Sequence, residues 1–388
     1  MSITLTQTPA TASLSQSPII FSVIESGGIV NSSSFQYMAD LYYWTGSLTD
    51  SSSVSDYTLV KYPNSSQTGI FDLNRIINST LPNLAIQNTS NVVYFAAEFY
   101  YQYLSGSTYI TGSNIRSNTY KALDGYAVFQ EPVNQQIYNK TPHWPLITDG
   151  PATQSVFDFN RGFSSVYVGD VGTSIPTKLV YSSNLGNADY TLSGSTSSSQ
   201  QIQQYPIGIS QSGFPLTSSI GLNYYTIQAY SGSTPLGTPI KYNLVCNQKY
   251  PNIRIKWKNR FGQFDWFNFN MVNRQSFQTE TKAYQPQLGS WESTTLGYNS
   301  YESSTLNYIA DSKQSISVKT DWISEDYNEL LKQLLVSDEI YWYYEESSAA
   351  LRPITITTSN LQFKTGVVDK LIQYSFDFNF GQAYKLII

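Results

Sequence analysis

Apolar and polar positions alternate in short runs along most of the chain, the pattern of half-buried strands. Ile19 to Val23 is a first apolar run, broken by Gly27-Gly28. Ser34 to Trp44, Tyr57 to Tyr62, Val92 to Leu104 and Tyr120 to Phe129 follow as aromatic-rich strand segments, with turn signals such as Pro63-Asn64 between them. Leu73, Ile76, Ile77 and Leu81 instead recur at helical spacing, after Asp72 as a capping residue and before Pro82 as a stop. Over 17–140 the pattern predicts one β-sandwich crossed by a short helix.

Pro132 to Pro151 holds four prolines and reads as a linker. Ser165 to Val168, Lys178 to Tyr181 and Tyr224 to Tyr230 predict strands of a second β domain over 141–250, with a polar loop at Ser193 to Gln204. The clearest hairpin is 253–271. Ile253, Ile255 and Trp257 alternate with Arg254, Lys256 and Lys258, Asn259 to Gln263 forms the turn, and Phe264 to Met271 returns.

A helix is predicted over 324–336. Ser324 serves as cap, Glu325 and Asp326 sit at the positive end, and Tyr327, Leu330, Leu331, Leu334 and Leu335 form one stripe. With strands at Ile340 to Tyr344, Pro353 to Thr357 and Tyr374 to Phe380, the region 251–388 reads as α+β. Residues 1–16 read as an extended N-terminal arm able to add a strand to a neighbouring subunit. The expected fold class is therefore mainly β: multidomain β-sandwiches with a few short helices and a C-terminal α+β portion.

Composition narrows the class. The chain has 388 residues, of which 13% are charged and 15% aromatic, with 32 Tyr. Charge is about half the usual ~25%, and the aromatics exclude an ordinary disordered chain. Net charge is −5 and no basic tract exists, which argues against nucleic acid as a partner. No apolar run is long enough for a membrane span. The first cation is Lys61, so no basic start of a signal peptide is expected. The single cysteine, Cys246, allows no intrachain disulfide and reads as a small core residue.

Candidate chemistry is sparse. The one histidine, His143, lies between Pro142 and Trp144-Pro145, and no Gly-x-Ser-x-Gly elbow accompanies it. No metal-ligand spacing and no cofactor fingerprint occurs, so no cofactor is expected. Glu98, Asp124, Asp265 and Glu292 are carboxylates of the kind a glycosidase pair uses, though sequence spacing sets no such pair. Tyr42, Tyr43 and Trp44, and Tyr341, Trp342, Tyr343 and Tyr344, are dense enough for a sugar platform, a subunit interface or plain core. Arg254, Lys256, Lys258 and Arg260 form a basic stripe that a solvated face, pairing with Asp265, an acidic neighbour subunit or DNA in a tail lumen would satisfy.

The hairpin also carries a resemblance. Trp257-x-Asn259-Arg260-x-Gly262-x-x-Asp265-x-Phe267-x-Phe269, followed by the helix and strand Tyr327 to Tyr343, resembles a family of tailed-phage virion proteins from phages of Bacteroidetes hosts, the crAss-like group among them. Pro145 to Pro151 and Phe71-Asp72-Leu73 are similar to that family as well. The resemblance spans about 18–388 and implies a structural role in the virion, in the tail or its collar rings, with no catalytic residues to carry over.

The expected function is a tail or collar ring subunit that assembles with itself, in six- or twelve-fold symmetry, and with other tail, portal or ring proteins. It would be made in the host cytoplasm and end in the virion. The alternatives are a tail adhesin for host glycan and a capsule depolymerase. Trp257, Asn259, Arg260, Gly262, Asp265, Phe267, Phe269, Tyr341 and Trp342 are the expected structural or interface residues.

Overall fold

The computed structural model describes residues 2–32, 34–45, 48, 54–81, 92–129, 131, 133–134, 141–169, 175–193, 201–216, 220–245, 249–292, 294–344, 350–366 and 372–381. Pro82, Cys246 and the centre of the polar loop after Ser193 lie outside the described residues. Among the described residues strands make up 49% and helices 7%, so the fold is mainly β.

Two compact units divide the chain. One holds Met1–Cys246, Trp257–Trp266 and Asp326–Ser337; the other holds Asn247–Lys256, Phe267–Glu325 and Asp338–Ile388. The first unit thus joins the two expected sandwich regions and takes the predicted helix from the C-terminal region.

The first unit opens with β1 (Ile3–Gln7), β2 (Ala12–Leu14), β3 (Ile20–Glu25), β4 (Gln36–Trp44), β5 (Tyr57–Lys61), β6 (Thr68–Asp72), helix α1 (Asn74–Thr80), β7 (Val92–Ser105), β8 (Thr108–Thr111), β9 (Ile115–Arg116) and β10 (Tyr120–Leu123). Sheet β1-β3-β6 and sheet β2-β10-β7-β4-β5 enclose a common core of Phe21, Val23, Tyr37, Phe71, Phe95 and Phe99. Leu73, Ile77 and Leu81 bury the helix stripe as predicted, and Asp72 Oδ1 accepts the Asn74 N–H at 3.1 Å. The N-terminal segment is extended, but within its own chain. Leu5 pairs with Val23 in an antiparallel ladder and Ser13 pairs with Ala122 in a parallel one. Ile3, Ala12 and Leu14 are buried, and burying them in place offsets the entropy of ordering the arm.

The second layer system comprises β11 (Thr153–Val156), β12 (Phe163–Tyr167), β13 (Lys178–Ser183), β14 (Gly186–Thr191), β15 (Ile202–Pro206), β16 (Tyr224–Ser231) and β17 (Thr234–Leu244). Sheet β11-β17-β16-β13-β14 and the pair β12-β15 share a core that includes Val166, Tyr181, Tyr205, Tyr225 and Ile240. A further cluster mixes both sandwich regions: Leu14, Trp44 and Tyr94 meet Ile147, Tyr167, Ile202 and Phe261. This shared core makes one unit where the proline signal predicts a linker. Thr141, His143, Leu146, Ile147 and Thr148 are buried, and His143 sets its two ring nitrogens each 3.0 Å from a carbonyl oxygen, of Thr238 and Gly150.

The remaining strands are β18 (Ile253–Lys258), β19 (Phe264–Phe269), β20 (Arg274–Tyr284), β21 (Leu306–Lys319), β22 (Ile340–Tyr344), β23 (Ala350–Ile356) and β24 (Ser375–Phe380), with α2 (Asn328–Val336) preceding β22. They form one sheet in the order β19-β18-β22-β23-β24-β21-β20. Tyr374, Phe376 and Phe378 are buried while Ser375 and Asp377 are exposed, the alternation the sequence predicts. A 3-10 turn at Glu325–Tyr327 follows Ser324 directly and leads into α2.

Candidate functional site

The hairpin turn of the first unit is held by a dense set of buried hydrogen bonds. Asn259 is 2% exposed, yet every polar atom of its side chain is used. Its Oδ1 accepts the N–H groups of Phe261 and Gln263, each at 3.0 Å. Its Nδ2 donates to Ile147 O at 3.1 Å and to Asp265 Oδ2 at 3.0 Å. An asparagine is required because the residue must accept on one side and donate on the other.

Gly262 takes φ +69°, and a β-carbon there would lie 2.7 Å from Asp124 Cβ. Gly125 approaches as closely from the other side: its β-carbon would lie 2.3 Å from Arg260 O, and Tyr126 N–H donates to that same carbonyl at 2.8 Å. Two glycines thus let the turn and the 124–126 segment touch backbone to backbone.

Arg260 does not pair with Asp265 as expected. Its Nε sits 2.5 Å from Asp149 Oδ2 and its Nη1 3.0 Å from Glu131 Oε1. Gln333 of α2 closes the ring, accepting the Arg260 N–H with Oε1 at 3.0 Å and donating from Nε2 to Asp149 Oδ2 at 2.8 Å. Burial opposes the guanidinium charge, but the carboxylates of Asp149 and Glu131 outweigh it and raise the Arg260 pKa. Lys258 is held by Asp124 at 2.8 Å, both side chains about one-tenth exposed.

Asp265, freed from Arg260, is buried and pushed up to about 7 by desolvation. Hydrogen bonds from Thr148 and Asn259 pull it part of the way back, and the nearby Asp149 charge raises it. The basic stripe is therefore not a solvated face: Arg254 is 3% exposed, and burial lowers Lys256 to about 8 against the raising effect of Glu339.

The expected site residues separate into two groups. Trp257, Asn259, Arg260, Gly262 and Asp265 lie in the first unit, and the last four of them form the bonded turn described above, a clamp between distant backbone segments. Phe267, Phe269, Tyr341 and Trp342 belong to the second. There Phe267 and Phe269 pack edge to face at 4.8 Å, Phe269 meets Phe376 at 5.6 Å, and Trp342, 5% exposed, packs on Phe380 at 5.5 Å. Tyr341 is half-buried with its hydroxyl 3.4 Å from Glu339.

Neither expected aromatic platform faces solvent as a whole. Tyr42 and Trp44 are buried, and Arg116 lies 4.4 Å over the Tyr42 ring. Of the candidate carboxylates, Glu98 accepts from Tyr42 and Asn114, while Asp124 and Asp265 serve the clamp.

The residues that sequence reading passes over are the clamp's distant partners, Glu131 and Gln333, and a large exposed element. Beyond the Ser315–Lys319 end, where β21 pairs with β24, strands β20 and β21 run on from the sheet as a two-stranded ribbon, and every residue of β20 is exposed. Residues 285–292 and 294–305 cap it. Trp291, Tyr298 and Tyr301 there are 64%, 70% and 84% exposed. That tip is internally bonded: Glu302 accepts from Gly289 N–H and Asn299 Nδ2, and Trp291 Nε1 donates to Leu288 O at 2.8 Å.

At the ribbon's root, Met271, Val272, Arg274, Ser317, Lys319 and Gln373 line a hollow of about 470 Å³. A metal-binding cluster of three or more His, Cys, Asp or Glu is absent among the described residues. Among them too, no helix is long and apolar enough to cross a membrane. The chain matches no model of a known protein family, and no curated protein is significantly similar to it in sequence.

Proposed function

We propose that this protein is a structural subunit of a phage virion, a tail or collar ring protein that assembles with copies of itself. The observation that carries the reading is the β20–β21 ribbon. A two-stranded ribbon exposed along all of β20 and tipped with aromatic side chains gains little stability by itself, and aromatics with polar tips are what subunit interfaces bury. The clamp supports the same reading. The residues that carry the resemblance to phage virion proteins are spent on holding backbone segments together, with their polar groups turned on one another.

Light scattering on the purified chain, followed by negative-stain imaging of large species, tests the proposal. Closed rings are expected. A chain that stays monomeric at every concentration, and is absent from purified virions by mass spectrometry, would overturn it.

A second reading, a glycan-binding tail adhesin, draws on the exposed Trp291, Tyr298 and Tyr301. It requires that a glycan array show binding that Trp291→Ala abolishes.

A further inference from the structure

The ribbon has two chemically different ends, and they match each other. The tip, 285–305, contains Glu292 and Glu302 and no cation. Glu292 is the immediate neighbour of Trp291, and Glu302 of Tyr301. The root hollow places Arg274 and Lys319 over a floor that includes Met271 and Val272. Neither cation has an ion-pair partner among the described residues. Asp321, two residues beyond Lys319, is engaged by Asn270 Nδ2 at 3.1 Å.

At about 470 Å³ the hollow falls within the ~300–1,000 Å³ range of pockets that accept a ring-sized ligand. A thioether and two cations around such a space favour an aromatic guest. Along β20, eleven residues at ~3.4 Å each put tip and root more than about 30 Å apart, so a tip cannot fill its own root. Over 274–319, Arg274, Lys282, Lys313 and Lys319 are balanced by Glu280, Glu292, Glu302 and Asp311, so the −5 charge of the chain lies elsewhere. The ribbon is the part of an acidic molecule that a second copy can approach without like-charge repulsion.

We infer that the aromatic tip of one copy seats in the root hollow of the next, with Trp291 over the Met271–Val272 floor and Glu292 against Arg274 and Lys319. This rests on the self-assembly reading above and specifies its contact. Because tip and root are different surfaces, repeating the contact head to tail generates a ring when the rotation closes.

The test is the solution mass of the full chain and of Glu292→Lys, Trp291→Ala, Arg274→Glu and the double variant Glu292→Lys with Arg274→Glu. Every altered side chain is exposed, and an unchanged thermal midpoint confirms that each variant folds. The expected result is that each single change weakens self-association at least tenfold and that the double variant recovers most of it. A dimer dispersed by the same variants would uphold the contact and overturn the ring. Rings unaffected by all four variants would overturn the contact and leave the ring reading standing. A wild-type chain that never associates would overturn both, and loss of glycan binding in Trp291→Ala at unchanged mass would assign the tip to a host surface instead.

Discussion

Arg260 and Asp149, 111 residues apart in the chain, meet as a two-nitrogen pair, Nε 2.5 Å from Oδ2 and Nη2 3.4 Å from Oδ1. Arg260 also satisfies Glu131, so its removal leaves two mostly buried carboxylates, 9% and 15% exposed, without their cation. Arg260→Met is expected to cost about 3–5 kcal/mol, the range for breaking a buried pair from one side. Arg260→Lys should recover only part, since an ammonium cannot present a planar fork. Urea denaturation of the two variants beside wild type measures both values. A loss below about 1 kcal/mol for Arg260→Met would count against the clamp.

Asp265 makes stability depend on pH. In the unfolded chain it ionises near ~3.9, while burial places it at about 7 in the fold. Between about pH 4 and pH 7 the folded state therefore holds a proton that the unfolded chain has released, and stability falls as pH rises through that window and levels off above it. Asp265→Asn mimics the protonated acid and should flatten this part of the profile. Thermal midpoints at half-unit pH steps show the difference; parallel profiles for the two proteins would contradict it.

Gly262→Ala forces a β-carbon to within 2.7 Å of Asp124 Cβ in a left-handed backbone conformation, so both overpacking and strain act, and about 2–4 kcal/mol of destabilisation is expected. Gly28 has φ +78° but nothing within 4 Å of its would-be β-carbon. Gly28→Ala should cost only about 1 kcal/mol. Equal losses in the two variants would show that backbone conformation alone matters at position 262.

Lys256 has a folded pKa of about 8 because burial disfavours its charge. Below that value the fold carries a poorly solvated ammonium, and stability from this group rises as pH climbs from about 8 to about 10.5. Lys256→Met keeps the stem and removes the charge, so it is expected to stabilise the second unit by on the order of 1 kcal/mol at pH 7. Hydrogen exchange in β18 and β22 reads this locally, and faster exchange in the variant would refute it.

The hairpin and both helices were legible because each buries one face, and burial of one face writes a period into the sequence. Trp257, Phe267 and Phe269 could be placed in a packed strand pair on that ground. The ribbon could not. With β20 exposed at every position neither face is selected to be apolar, and the period-two signal vanishes although the strand is eleven residues long. The resemblance singled out Arg260, Asp265 and the Pro145 to Pro151 segment without showing which acid the arginine takes.

What the sequence determined by itself is the secondary structure class and the local turn: alternating apolar positions, a glycine where φ must be positive, an asparagine whose side chain can close its own loop. What only the tertiary structure decided is partnership. Arg260 turns to Asp149 and Glu131 and leaves Asp265 to Thr148 and Asn259, His143 and Leu146 to Thr148 become core, and the N-terminal arm pairs within its own chain. Local patterns reflect which face of an element leaves water. The choice among several chemically eligible partners depends on which of them the packed backbone brings within hydrogen-bond reach.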